Sequence, residues 1–170
     1  MDLVVREARE TELDRIGALT AEVYDGEALA GPEYLEVLRD ARDRWESPAT
    51  TLLVAYDDGA EEVEDLLGTV VYAGPGSPWQ DLGQGDEVEF RMLATAVPAR
   101  DRGVGEALVR ACIDRAKRAG APSLVLSTGP EMVAAHRLYA RLGFVRVPER
   151  DWSPRPESDF LLHAYTLELG

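Results

Sequence analysis

Arg100-Asp101-Arg102-Gly103-Val104-Gly105-Glu106-Ala107 is the stretch on which the reading of this 170-residue chain turns. Behind it, Val104, Ala107, Leu108, Ala111, Cys112 and Ala116 recur at three- and four-residue steps and form one apolar stripe, a helix. Lys117 and Arg118 suit the negative end of its dipole, and Gly120 suits its exit. In front of it, residues 87–96 alternate as a strand that Pro98 stops. Alternation places Val88, Phe90 and Met92 on one face and Glu87, Glu89, Arg91 and Leu93 on the other. The eight residues therefore turn a strand into a helix. Gly103 and Gly105 let the main chain approach a ligand closely. The first helical N–H groups have no internal partner and lie at the positive end of the dipole. Such a bend is a site for a phosphate or pyrophosphate, or else only a tight turn. A P-loop is excluded because no Lys follows the glycines, and a dinucleotide fingerprint because the third glycine is missing.

Working outward, Leu3 to Ala8 reads as a short strand, and Thr11 with Asp14 has capping-box spacing for a first helix. A second helix is expected from about Pro32 to Trp45, ended by Ser47-Pro48. Strands follow at 51–56 and 66–73, joined by an acidic turn. Beyond the central helix come a strand at 124–127, a helix opened by the capping spacing Thr128 to Glu131, and strands at 144–147 and 161–169. No repeat or linker interrupts the chain. The expectation is one α/β (α+β) domain over residues 1–170 with a mixed sheet.

Composition narrows the function. Thirty-two acidic residues against eighteen basic ones give a formal charge of −14, which argues against nucleic acid and anionic membranes as partners. A single cysteine, Cys112, excludes an internal disulfide framework, and two histidines leave little for a metal site, so none is expected. No run is apolar enough to cross a bilayer and no signal peptide is visible, so a cytoplasmic setting is the default.

Two motifs carry a resemblance. Arg100-x-x-Gly103-x-Gly105 resembles the Gln/Arg-x-x-Gly-x-Gly/Ala signature of the GCN5-related N-acetyltransferase (GNAT) superfamily. Ala135-His136-Arg137-Leu138-Tyr139-Ala140-Arg141-Leu142-Gly143-Phe144 resembles its second signature, Ala-x-x-Leu-Tyr-x-x-x-Gly-Phe. The order of elements is similar over essentially the whole chain. The resemblance implies a mixed, mostly antiparallel sheet, splayed between its fourth and fifth strands and flanked by about four helices. It implies acetyl-CoA as co-substrate, its acyl-pantetheine arm pairing near Leu93 and Thr95. The pyrophosphate would rest on the segment Arg100, Asp101, Arg102, Gly103, Val104, Gly105, Glu106 and Ala107. The family often has Val-x-Pro before this loop; here Pro98 comes one position late. It often has Asn where this chain has Met132.

Acetyl transfer to an amine needs a base, because an ammonium has no lone pair. Glu89 lies eleven residues before Arg100, the spacing at which some members of the family place a strand carboxylate as base, so the resemblance makes it the leading candidate; Glu87, on the same face, could share or replace it. Tyr139 matches the family tyrosine that protonates the departing thiolate. His136 and Cys112 read as structural. Tyr24, Asp25, Glu27, Asp151, Trp152 and Asp159 would make an acidic, aromatic-edged acceptor mouth suited to a cation. The expected activity is N-acetylation of a small-molecule or peptide amine by direct transfer in a ternary complex. The alternatives are a catalytically silent acyl-CoA-binding sensor and a structural domain without a CoA site. Homodimers are common in the family, so a homodimer is one expectation for the assembly.

Overall fold

The computed structural model describes residues 2–26, 30–155, 157 and 159–170. In chain order the elements are β1 (Leu3–Glu7), α1 (Leu13–Gly26), α2 (Pro32–Arg39), α3 (Ala41–Glu46), β2 (Thr50–Asp57), β3 (Gly68–Ala73) and β4 (Val88–Thr95). Then follow α4 (Val104–Arg118), β5 (Ser123–Thr128), α5 (Val133–Arg141), β6 (Val145–Arg146) and β7 (His163–Glu168). The strands form one sheet in the order β1-β2-β3-β4-β5-β7-β6. Every neighbouring pair is antiparallel except β4 and β5, which run parallel. This is the mixed, mostly antiparallel sheet that the sequence implied.

Two cores cover the two faces. On one, Val104, Leu108, Cys112 and Ala116 of α4 and Tyr139 of α5 pack on Leu53, Val70, Phe90, Leu124 and Leu126. On the other, Ile16 and Leu19 of α1, Leu35 and Leu38 of α2 and Ala41 of α3 pack on Leu52, Val54, Val71 and Met92. Each such side chain, taken fully out of water, contributes on the order of 1.5–3 kcal/mol.

The local signals differ from the structure at three helix starts. Glu12, not Thr11, closes the approach to α1: its carboxylate accepts the Arg9 N–H at 2.7 Å, at the head of a 3₁₀ turn over Glu10–Glu12. The single helix expected over 32–45 is broken at Asp40, whose side chain accepts the Asp43 N–H and starts α3 afresh. Among the described residues there are thus five helices, α1 to α5. The spacing Thr128 to Glu131 makes no cap, because Thr128 is still the last residue of β5 and α5 begins at Val133.

The break at Asp40 is held by Arg44, which is wholly buried and donates to the carbonyls of Val37 (2.9 Å) and Leu38 (3.1 Å). These carbonyls lie in the last turn of α2, where Val37 also accepts the Asp40 N–H at 3.2 Å. Burial pushes the Arg44 guanidinium down to about 10. At Gly17 the backbone of α2 comes so close that an added Cβ would lie 2.0 Å from the Arg39 carbonyl oxygen.

Candidate active site

The strand β4 does not keep the simple alternation its sequence suggests. Met92 takes φ +56°, and Thr69 faces Ala94 while Val71 faces Arg91, so one β3 residue stands opposite two of β4. This is a bulge, and it reverses the faces beyond it. Met92 and Ala94 join the α1–α3 core, whereas Phe90 and Leu93 face the α4 side. Leu93 is therefore not on the face of Glu89 and Arg91.

The same strand parts from its parallel neighbour. Val88 pairs with Leu124 and Glu89 with Val125, and from Phe90 to Thr95 no β5 partner is registered among the described residues. Main-chain groups on this edge are left open between two diverging strands. At the end of β4 a 3₁₀ turn over Val97–Ala99 carries Pro98 into the loop before α4. Gly103 caps α4 with φ +81°, a conformation that favours glycine. A Cβ on Gly105 would meet only Leu138 and Thr95, at 3.7 and 3.8 Å, so the turn is uncrowded. The first backbone bond of the helix runs from the Ala107 N–H to the Gly103 carbonyl. Asp101, Arg102 and Gly103 are exposed, Val104 is anchored in the core, and Glu106 ties α4 to α5 through Arg141 at 3.1 Å. Arg102 is held by Asp57 at the end of β2. Its guanidinium is thus committed to a carboxylate.

Glu89 is completely buried. Its Oε1 accepts three successive N–H groups, from Asp81, Leu82 and Gly83, at 2.9, 2.8 and 2.9 Å. Its Oε2 is buried without a partner among the described residues. Burial pushes the carboxyl above its usual range, although the Gly83 and Leu82 amides and Arg91 favour the ionised form. The segment 79–83 lies across Glu89 as a strap. Glu87 behaves oppositely. Burial would raise it, but bonds from Arg150 (2.8 Å), Ser123 (2.6 Å) and the Gln84 N–H (3.1 Å) outweigh that and hold it below the usual range. Glu87 is a fixed counter-ion of Arg150 and is withdrawn from the shared role.

On the α4 side of the opening, Tyr139 packs edge-on to Phe90 and Phe144, with centroids 5.8 and 5.9 Å away. Burial raises its phenol well above the usual value, so it keeps its proton. His136 stacks on His163 and meets the Gly129 carbonyl at 2.9 Å. Cys112 is buried, its thiol pushed up to about 12.

The expected acidic mouth is altered. Asp151 is taken by Arg146 at 2.6 and 2.7 Å and by the Ala164 N–H at 2.9 Å. Trp152 donates its indole N–H to Ser127 on β5 at 2.8 Å. Tyr24 stands edge-on to Tyr34 of α2 at 6.4 Å. Asp25 and Asp159 are exposed, and Glu27 lies outside the described residues. The sequence reading missed Tyr34, Ser127, the strap and Arg91 as site groups. Arg91 alone had a signal, two positions after Glu89 on an alternating strand.

This arrangement has counterparts. The model of the Acetyltransferase (GNAT) family matches residues 13–144, well over half of the chain. The chain belongs to the GNAT acetyltransferase family. An acetyltransferase of the GNAT family from Staphylococcus aureus shares the fold at TM-score 0.75 and 13% identity, over 99% of this chain and 100% of its own. A GCN5-related N-acetyltransferase from Kribbella flavida is 24% identical at TM-score 0.70, over 98% of each chain. The protein yncA from Salmonella typhimurium, solved with its cofactor acetyl-CoA, is 19% identical at TM-score 0.66, over 99% of this chain and 94% of its own. No curated protein matches the sequence. Among the described residues of this GNAT chain, no helix is long and apolar enough to cross a membrane.

Proposed function

We propose that this GNAT protein moves an acetyl group from acetyl-CoA to a primary amine, directly, in a ternary complex. The observation that carries the reading is the parting of β4 from β5 after Glu89 and Val125, beside the uncrowded first turn of α4. A pantetheine arm carries amides that need partners, and the open β4 edge near Leu93 and Thr95 supplies them in place of a strand. The main chain of residues 100–107, at the positive end of α4, suits a diphosphate. The neighbour solved with acetyl-CoA supports the same use of this fold.

Glu89 is the proposed base, taking the proton that leaves the nitrogen as the C–N bond forms and the C–S bond breaks. Its raised proton affinity brings it nearer the working range of such a base. Tyr139 is the proposed acid for the departing sulfur; burial keeps its phenol protonated but also weakens it as a donor, so the transfer needs a thiolate made more basic by the same dry setting. A main-chain N–H near Leu93 or Ala94 faces the developing oxyanion. Tyr139→Phe is expected to lower kcat by roughly 10²-fold, as for loss of a general acid. Its acetyl-CoA Kd, measured by titration, should stay unchanged; a normal kcat removes the role.

The complete burial of Glu89 favours a second reading, an acyl-CoA-binding regulatory module that transfers nothing. Both readings require binding. Acetyl-CoA at 100 times its Kd should stabilise the fold by about 2.7 kcal/mol in thermal unfolding. CoA release with a panel of amines then supports transfer. Binding without release on any amine supports the module, and the absence of a thermal shift overturns both.

A further inference from the structure

We propose that the amine acceptor carries a carboxylate, as a free amino acid does, and that Arg91 is the group that receives it. The inference rests on the transfer reading above and names its substrate class. Arg91 lies on the β4 arm two residues past Glu89, before the bulge at Met92, so both side chains leave the same face. Its side chain is 18% exposed, enclosed yet within reach. One nitrogen donates to the Trp79 carbonyl at 3.0 Å, and the other to the Tyr34 hydroxyl at 3.1 Å.

The carboxylate partner of Arg91 is the unusual feature. Arg146 holds Asp151, and Arg6 holds Glu12, each through two guanidinium–oxygen bonds. Arg150 holds Glu87 through both its terminal nitrogens. Arg91 approaches Asp81 to 3.2 Å, farther than the 2.6 to 2.8 Å of those three pairs, and that carboxylate is 35% exposed. A planar guanidinium is built for two parallel bonds to one carboxylate. Asp81 therefore occupies the position loosely, as a counter-ion that a better-placed carboxylate can displace.

The neighbouring charges are mixed. Arg44 is close enough that its charge and that of Arg91 oppose one another, and it donates only to carbonyls. Glu89 and Asp81 both act on Arg91, and Asp40 acts on Arg44; of the two acids on Arg91, Glu89 is buried and Asp81 is the exposed one. Of the acids expected to draw a cation, Asp151 is saturated by Arg146, while Asp25 and Asp159 lie exposed.

The test measures CoA release with matched acceptors: an amino acid, its amide, and the amine lacking the carboxyl group. Rates are referred to the unprotonated amine. The wild-type protein should favour the amino acid in kcat/KM by about 100-fold, since a site built for a polar group rejects analogues lacking it. Arg91→Gln should bring that preference to within a few-fold, and Arg91→Lys should fall between. Asp81→Asn, which keeps the main-chain bond to Glu89, should lower KM for the amino acid several-fold by removing the competing carboxylate. Equal kcat/KM for all three acceptors on the wild-type protein overturns the inference and leaves transfer standing. No release with any acceptor, despite acetyl-CoA binding, overturns transfer and the inference with it. Should Arg91→Gln fail to fold, wild-type discrimination and Asp81→Asn decide.

Discussion

Glu89→Gln is expected to lower kcat by about 10²- to 10³-fold, within the span typical of general-base loss, while leaving the fold nearly intact. The substitution keeps a carbonyl oxygen where Oε1 accepts the three N–H groups of Asp81, Leu82 and Gly83. Its NH₂ falls at Oε2, which has no partner to lose. Glu89→Ala is the poorer probe: it orphans three buried donors, each at a cost of about 1–3 kcal/mol. The pH dependence gives a second reading of the same group. Burial raises the Glu89 carboxyl, so the rate should rise with pH through a value above the usual carboxylate range. Stability runs the other way. A raised folded-state pKa means that the folded protein holds this proton more tightly than the unfolded chain. Its contribution is present below the unfolded value and is lost as pH rises through the folded one. The stability of the wild-type protein relative to Glu89→Gln should therefore decline across that window in denaturant titrations. A wild-type kcat in Glu89→Gln removes the base; a flat stability difference removes the raised carboxyl.

Gly17→Ala should destabilise by about 3 kcal/mol, the upper end of ordinary overpacking. At roughly 2–4 °C per kcal/mol for a chain of this size, that is a fall in Tm of roughly 6–12 °C. Helix propensity alone would predict the opposite sign, because Ala is the better helix former by about 1 kcal/mol. The difference is the Arg39 carbonyl oxygen, 2.0 Å from the position the new Cβ would take. Backbone cannot yield as a flexible side chain can, so α1 and α2 must move apart. That movement carries Tyr34, a partner of Arg91, away from β4. Acceptor KM should rise, while the Kd for acetyl-CoA, whose proposed site is the open β4 edge and the turn before α4, should change little. An unchanged or raised Tm in calorimetry would show that the two helices separate without penalty.

The bend at residues 100–107 and the helix behind it were legible because their signals are local. Two glycines, an apolar stripe and basic residues at the exit lie within twenty positions of one another. The succession of strands and helices along the chain was legible from alternation, helical spacing and turns. The second helix was misjudged for an equally local reason. Apolar positions continue in step across Asp40, and the side chain that breaks the helix there differs little in sequence from a surface acid. The face of Leu93 was misjudged because a one-residue bulge reverses alternation without any mark in composition.

Sequence by itself determined the family, through the two motifs and their order, and the residue types at hand for acid, base and phosphate. Tertiary structure decided which of those residues are free to act. Glu87, Arg102 and Asp151 look as available in the sequence as Glu89, yet Arg150, Asp57 and Arg146 claim them from 63, 45 and 5 positions away. Backbone preference and periodicity are properties of neighbours along the chain. The charge state and availability of a carboxylate depend on what the fold places within a few ångströms of it, and on how much water it leaves there.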